Sequence, residues 1–334
     1  MHLHKISKLV VFICILTMMS CNGQKQKKEE NNPLEKDTTT TNSNSPATLQ
    51  RCATMQVLEH KMTAHPEYRQ VMERIETFCQ SYEMAKKEND TTRLSIPVVV
   101  HVIYSTEEEN ISKEQIHSQI DVLNEDFNKQ NADIDQVPAV FETLIANIGI
   151  HFDLKEIKRI SSERKSWGTN DEMKFSTNGG SDAISPDTHL NIWVCPIGAS
   201  ILGYAQFPGL GEATTDGIVV SPQFFGTTGF VQAPFDKGRT ATHEVGHWLN
   251  LRHIWGDGAC EQDDFVDDTP VSNKPNNGCP TFPVVNCNSN DMFMNYMDYT
   301  NDACMHLFTK GQKTRIDAIF AAGGPRESFV KNLQ

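Results

Sequence analysis

The eleven residues HEVGHWLNLRH, His243 to His253, constrain this chain more than any other stretch. In an α-helix, residues four apart lie one turn above each other on the same face. His243 and His247 can therefore aim both imidazoles at one point. Glu244 sits beside that face, able to reach a water held there without itself becoming a ligand. His253 lies six residues past His247, and a continuing helix would carry it away from that point. The chain must turn between them, and the turn falls at Asn250, because Asn is second only to Gly in accepting left-handed dihedrals. Three histidines leave one position of a tetrahedral zinc site open, as in catalytic rather than closed structural sites. Such a zinc lowers the pKa of a bound water to about 7, and Glu244 is placed to take its proton as general base. The alternative is a set of ordinary surface or core histidines on an amphipathic helix, which does not account for a third histidine at this offset.

The segments before this motif alternate between the two regular periods. Residues 49 to 88 carry Met55, Leu58 and Met62, then Val71, Ile75 and Phe78, at three- and four-residue spacing. This predicts two helices, or one interrupted at His65-Pro66. Ile96 to Tyr104, IPVVVHVIY, is continuous and β-branched, as a buried strand requires. Ser112 and Gln115 have the spacing of a capping box opening a helix to about Lys129, with Ile116, Ile120, Leu123 and Phe127 on one face. Further strands are predicted over 149–160, 190–195, 201–207 and 217–220. After Trp255 the chain is rich in Gly, Pro, Asn, Asp and Cys, and a last helix is predicted over 309–321.

Composition narrows the setting. The net charge is −13 and the pI about 5.4, with no basic stripe, which argues against a nucleic-acid partner. Lys5 and Lys8 precede a short apolar run, Leu9 to Met19, too short for a confident membrane span and suited to an export signal over 1–20. Ser20-Cys21 after that run resembles a bacterial lipoprotein signal with Cys21 as the lipid-bearing residue. The other outcome is ordinary cleavage and free secretion. Residues 21–48 are polar and low-complexity, a disordered linker. Apart from Cys14 and Cys21, seven of the nine cysteines remain, four of them from Cys260 onward, which suggests two local disulfides in an oxidising compartment. Four cysteines allow three pairings, and spacing alone does not choose.

HExxHxx(G/N)xxH is the extended zinc motif of the metzincins, and HEVGHWLNLRH resembles the pappalysin branch with its cytophagalysin- and ulilysin-like bacterial members. A second block, NYMDYTNDAC from Asn295 to Cys304, agrees. The resemblance spans roughly residues 50 to 325. It implies a zinc-dependent endopeptidase acting on proteins or peptides, exported as a zymogen, either secreted or tethered to a bacterial cell envelope by lipid. The implied fold is α/β (α+β), of metzincin type. A twisted five-stranded mixed sheet with backing and active-site helices (93–250) would lie over an irregular, disulfide-stabilised C-terminal subdomain (251–334). It implies Met297 as the methionine turn beneath the metal, and Tyr299 as a zinc ligand in the free enzyme or a donor to the oxyanion. It implies the pairs Cys260–Cys287 and Cys279–Cys304.

RCATM, Arg51 to Met55, resembles the start of the family's pro-segment, here 49–92, in which a cysteine can bind zinc and keep the enzyme latent; Cys52 is the candidate. A Cys52–Cys79 disulfide is the competing reading. Ala53 stands where the family usually has Gly. The family's activation cut falls just before the IPVVVHV-like strand, so maturation is expected near Thr92-Arg93. DDFVDDTP, Asp263 to Pro270, is dense in hard oxygen donors, and the resemblance implies structural Ca2+ there, with Asp264, Thr269 and a carbonyl near Asp267 as ligands. A solvated acidic loop is the alternative. Asp302 lies near the family's specificity pocket, where an acid favours a basic residue after the scissile bond. A non-catalytic binding module would be expected to have lost Glu244 or a ligand, and this sequence keeps all four.

Overall fold

A computed structural model describes residues 49–85, 93–198 and 200–331 of the chain. The expected signal, the linker, Cys21 and Thr92 lie outside the described residues. Two helices come first, α1 (Thr54–Ala64) and α2 (Tyr68–Ala85), separated at His65-Pro66 as the proline requires. Then follow β1 (Leu94–Tyr104), α3 (Lys113–Phe127), β2 (Ile150–Ser161), β3 (Leu190–Val194), β4 (Gly203–Ala205), β5 (Ile218–Val220) and α4 (Arg239–Trp248). A largely irregular stretch leads to α5 (Lys310–Phe320) and the short α6 (Ser328–Lys331).

The five strands form one sheet in the order β2-β1-β3-β5-β4. All neighbours are parallel except the rim strand β4, which runs antiparallel to β5. The interior strand β1 carries a proline, Pro97, that cannot donate to a ladder. It is tolerated because β3 pairs only with Val98–Val102, and the β1–β2 register shifts between Val98 and Val99. Helices α3 and α4 supply Ile116, Leu123, Phe127, Val245 and Trp248 to one core with Ile96, Val98, Val100 and Val102 of β1. On the other face, His101, Trp193 and Tyr204 are buried, and His101 is held between Ser181 Oγ (2.8 Å) and Asn191 Oδ1 (2.9 Å).

The expected capping box at α3 is only half made. Ser112 accepts from the Gln115 amide, but the Gln115 side chain turns inward instead of reaching back. Its Nε2 donates to the carbonyls of Pro222 and Phe225, and its Oε1 accepts from Phe230 N. A buried amide that satisfies three loop groups outweighs one cap bond at a helix end that water can serve. A complete capping box does occur at α5, between Thr309 and Gln312.

Both implied disulfides, Cys260–Cys287 and Cys279–Cys304, are formed. Cys52, Cys79 and Cys195 are free and buried, so the Cys52–Cys79 bridge is overturned: Cys79 sits on α2 against Asn250, while Cys52 is drawn to the histidines. No helix among the described residues is long and apolar enough to cross a membrane.

Candidate active site

Helix α4 delivers His243 and His247 one turn apart, both fully buried. The chain then reverses at Asn250, whose φ of 74° is the left-handed conformation that the six-residue offset demanded. Leu251 N closes the turn on the Gly246 carbonyl at 2.9 Å, and His253 comes back to the first two. The three Nε2 atoms lie 3.1, 3.1 and 3.3 Å apart. Two nitrogens bound to one tetrahedral zinc at 2.0–2.1 Å would be roughly 3.3 Å apart. Each Nδ1 is engaged on its far side: His243 with Tyr296 O (2.7 Å), His247 with Leu251 O (2.8 Å), His253 with Asp257 Oδ1 (2.6 Å). With Nδ1 donating, every Nε2 turns a lone pair to the common point. Burial, and then the neighbouring imidazoles, push His243 and His247 well below the ordinary histidine value, so they are neutral, as ligands must be.

The donor set around this point fits a cation. Cys52 Sγ and the three histidine nitrogens all lie within 4.8 Å of one another, the only such group among the described residues. Burial pushes Glu244 up to about 8, against hydrogen bonds from Thr54 and Cys52 and the Arg51 charge, and its Oε1 has no hydrogen-bond partner. Three converging lone pairs, a thiol and an orphaned carboxylate oxygen in one buried space are unfavourable unless positive charge sits among them.

Met297 closes on Gly246 of α4, where an added Cβ would collide with its Sδ. Glycine at that position is therefore what lets Met297 approach α4. Tyr299 places its ring 4.8 Å from that of His253 and 4.7 Å from that of Trp255. Burial, then Cys52 and Glu244, push its phenol up, so it is a proton donor rather than an anion at neutral pH.

The segment 50–54 lies along the rim strand into this cleft. Gln50 N donates to Ser200 O at 2.7 Å, Leu202 N to Gln50 O at 3.0 Å, and Ala53 N to Gly203 O at 3.0 Å, a parallel pairing. Thr54 Oγ1 donates to Glu244 Oε2 at 2.8 Å, and Cys52 Sγ is 3.5 Å from the same oxygen. Arg51 enters a pocket formed by Asp302, Met305 and Phe235. Its guanidinium is 2.9 Å from Asp302 Oδ1, 3.1 Å from Met305 Sδ, and 4.6 Å over the Phe235 ring. Asp302 Oδ2 also accepts from the amides of Lys237 and Arg239, so it caps the start of α4 as well.

Arg51, Thr54 and Asp257 escaped the sequence reading. RCATM carries both of the first two, but its family resemblance singles out only the cysteine. Asp257 had no signal, because its approach to His253 depends on left-handed backbone at Gly256 and Asp257. Of the expected calcium group, Asp264 and Thr269 are together: both are buried, and the Thr269 hydroxyl is 2.9 Å from each carboxylate oxygen. Asp267 is exposed. Burial pushes Asp264 up to about 8.

A five-stranded sheet packed on a histidine-bearing helix, Met297 closing on that helix, and an own segment laid in the cleft define a metalloendopeptidase of the metzincin class. Comparison with known proteins takes this further. The family model described as pregnancy-associated plasma protein-A matches residues 198–321. An extracellular metalloprotease of Coccidioides posadasii is 33% identical over 76% of this chain and 86% of its own length. One of Arthroderma benhamiae is 32% identical over 70% of this chain and 76% of its own length. Among solved structures, a Tannerella forsythia promirolysin mutant is 41% identical, covers 84% of this chain and 97% of its own, and has a TM-score of 0.78. Mature mirolysin in complex with a cleaved peptide is 46% identical over 71% of this chain and 96% of its own, with a TM-score of 0.69. The chain belongs to the pappalysin family of metallopeptidases.

Proposed function

We propose that this chain is the latent form of an exported zinc endopeptidase in which Glu244 is the general base and residues 49–92 are the pro-segment. The single observation that carries the proposal is the occupied cleft: Cys52 joins His243, His247 and His253, while Arg51 fills the adjoining acidic pocket. When bound, zinc supplies a Lewis acid that polarises the scissile carbonyl and makes water a nucleophile near neutral pH. The chain's own residues do the rest. Departure of Cys52 and Thr54 frees Glu244 Oε2 to accept the water's proton and later pass it to the leaving amine. Tyr299, protonated and beside the histidines, donates to the carbonyl oxygen as charge develops there. Asp302 is the acid that selects an Arg or Lys side chain just after the cut, and Arg51 is a stand-in for that side chain from the protein itself.

Three further assignments belong to the same reading. Maturation cuts the chain near Arg93. Asp264 and Thr269, with a carbonyl near Asp267, hold a structural Ca2+, and calcium removal at fixed zinc is expected to lower thermal stability. Cys21 carries a lipid that tethers the exported protein; growth with labelled palmitate should leave the label on wild type and not on Cys21→Ser.

The central test compares processed protein with Glu244→Ala on a denatured protein substrate, with zinc quantified in both. Wild type is expected to cut, and the variant to bind zinc without cutting. If both bind zinc and neither cuts after removal of the first 92 residues, a binding module replaces the peptidase.

A further inference from the structure

Segment 50–54 accounts for the blocked cleft, yet most of the pro-segment lies elsewhere. Helix α2 rests on a face made by the zinc-motif turn, α5 and the loop after β4. Glu76 makes a two-pronged ion pair with Arg315, at 3.0 Å and 2.6 Å, with side-chain exposures of 14% and 2%. Arg315 Nε in turn donates to Asn250 O at 2.8 Å, and Asn250 Nδ2 lies 3.4 Å from the buried Cys79 Sγ. Around this polar centre the fit is apolar. Val71 and Met72 pack with Phe207 and Leu210, and Ile75 lies over Gly209, where an added Cβ would come within 3.3 Å of Ile75 Cδ1. Helix α1 adds a second ion pair, Lys61 Nζ to Asp171 Oδ2 at 2.8 Å.

None of these contacts passes through Cys52. They match an amphipathic helix, through Glu76, to an apolar face that carries Arg315, and they do not need the peptide link between Ala85 and β1. We propose that the face formed by Phe207, Gly209, Leu210, Asn250 and Arg315 is a docking site that retains residues 54–85 after the chain is hydrolysed between 86 and 92. A single cut then leaves a latent two-chain complex, and departure of α2 is the activating event. The retention stands on these contacts alone, whereas its effect on activity rests on the peptidase reading above.

The test uses the full chain with residues 86–92 replaced by the recognition sequence of a site-specific protease, in a Glu244→Ala background so that no self-cleavage contributes. After complete cutting, both fragments are expected to co-elute in size exclusion at the size of the uncut chain. Loss of one partner from a buried ion pair predicts that Glu76→Gln speeds their separation on the order of a hundredfold. Ile75→Ala, which removes apolar contact and no charge, should speed it as well, and Cys52→Ser should leave the fragments together. In the parent with Glu244 intact, activity should appear at the rate of separation, not of cutting. Fragments that part as soon as they are cut would overturn the proposal. So would Glu76→Gln and Ile75→Ala complexes no weaker than the parent, release caused by Cys52→Ser alone, or a cut chain that leaves its helix and pairs with a second copy. Absence of any peptidase activity would sink the catalytic reading while the elution result still decides this one.

Discussion

Replacing Arg51 with Ala should loosen the latent state without touching the catalytic subdomains. The Arg51 side chain is 4% exposed and its partner Asp302 fully buried. Removing one member of a buried ion pair costs about 3–5 kcal/mol, largely because the other charge is left uncompensated. Here Asp302 keeps two donors, the amides of Lys237 and Arg239 at 3.0 and 3.1 Å, so the lower end applies. About 3 kcal/mol is a factor of roughly 150 in the population whose segment 50–54 has left the cleft. The assay is alkylation of Cys52 in the full chain, in a Glu244→Ala background, followed by peptide mass spectrometry. Cys79 and Cys195, both buried and free, are internal controls. The expected result is a rise of about a hundredfold at Cys52 alone, with a smaller rise for Arg51→Lys, which keeps the charge and loses the planar contact over Phe235. An unchanged rate in Arg51→Ala would refute the argument. Equal acceleration at all three cysteines would mean general loosening and refute it equally.

Three more outcomes follow from particular residues. Burial pushes His101 down to about 4, so the unfolded chain takes its proton first; stability from this group is complete above about pH 6.5 and falls as pH drops toward 4, by on the order of 3 kcal/mol. The urea midpoint should therefore fall less between pH 7 and 4.5 in His101→Gln than in wild type. Asn250→Gly should keep zinc binding, because glycine accepts a φ of 74°, whereas Asn250→Ile forces a β-branched residue into that conformation and should lower stability by about 1–2 kcal/mol, read as a lower Tm. Losing the Cys279–Cys304 bridge in a double serine variant should cost about 3.5 kcal/mol from its 25-residue separation, checked by urea unfolding under non-reducing conditions.

The convergence of the three histidines was legible in the sequence because it is local. His243 and His247 are set by helical pitch, and the place of the turn by the offset of His253 and the tolerance of Asn250. The strands were legible for a related reason: β-branched runs such as Val98 to Val100 have only a buried sheet to enter. Apart from Asp257, whose reach to His253 depends on two left-handed residues, what escaped were contacts between residues far apart in the chain. Gln115 has capping-box spacing, and only the loop from Pro222 to Phe230, brought against α3 by the sheet crossover, shows that its amide has better partners. Arg51 and Asp302 are 251 positions apart, so no periodicity links them.

Local pattern was enough to single out the three converging histidines, the class of chemistry, the main helices and strands and, through family resemblance, the disulfide pairs. Tertiary structure alone decided that Cys52 meets the histidines rather than Cys79, that Arg51 fills the pocket of Asp302, and that Glu76 of α2 closes on Arg315. The physical reason is range. Helix pitch and strand alternation act over a few residues, whereas desolvation and charge pairing act between whichever groups the fold buries together.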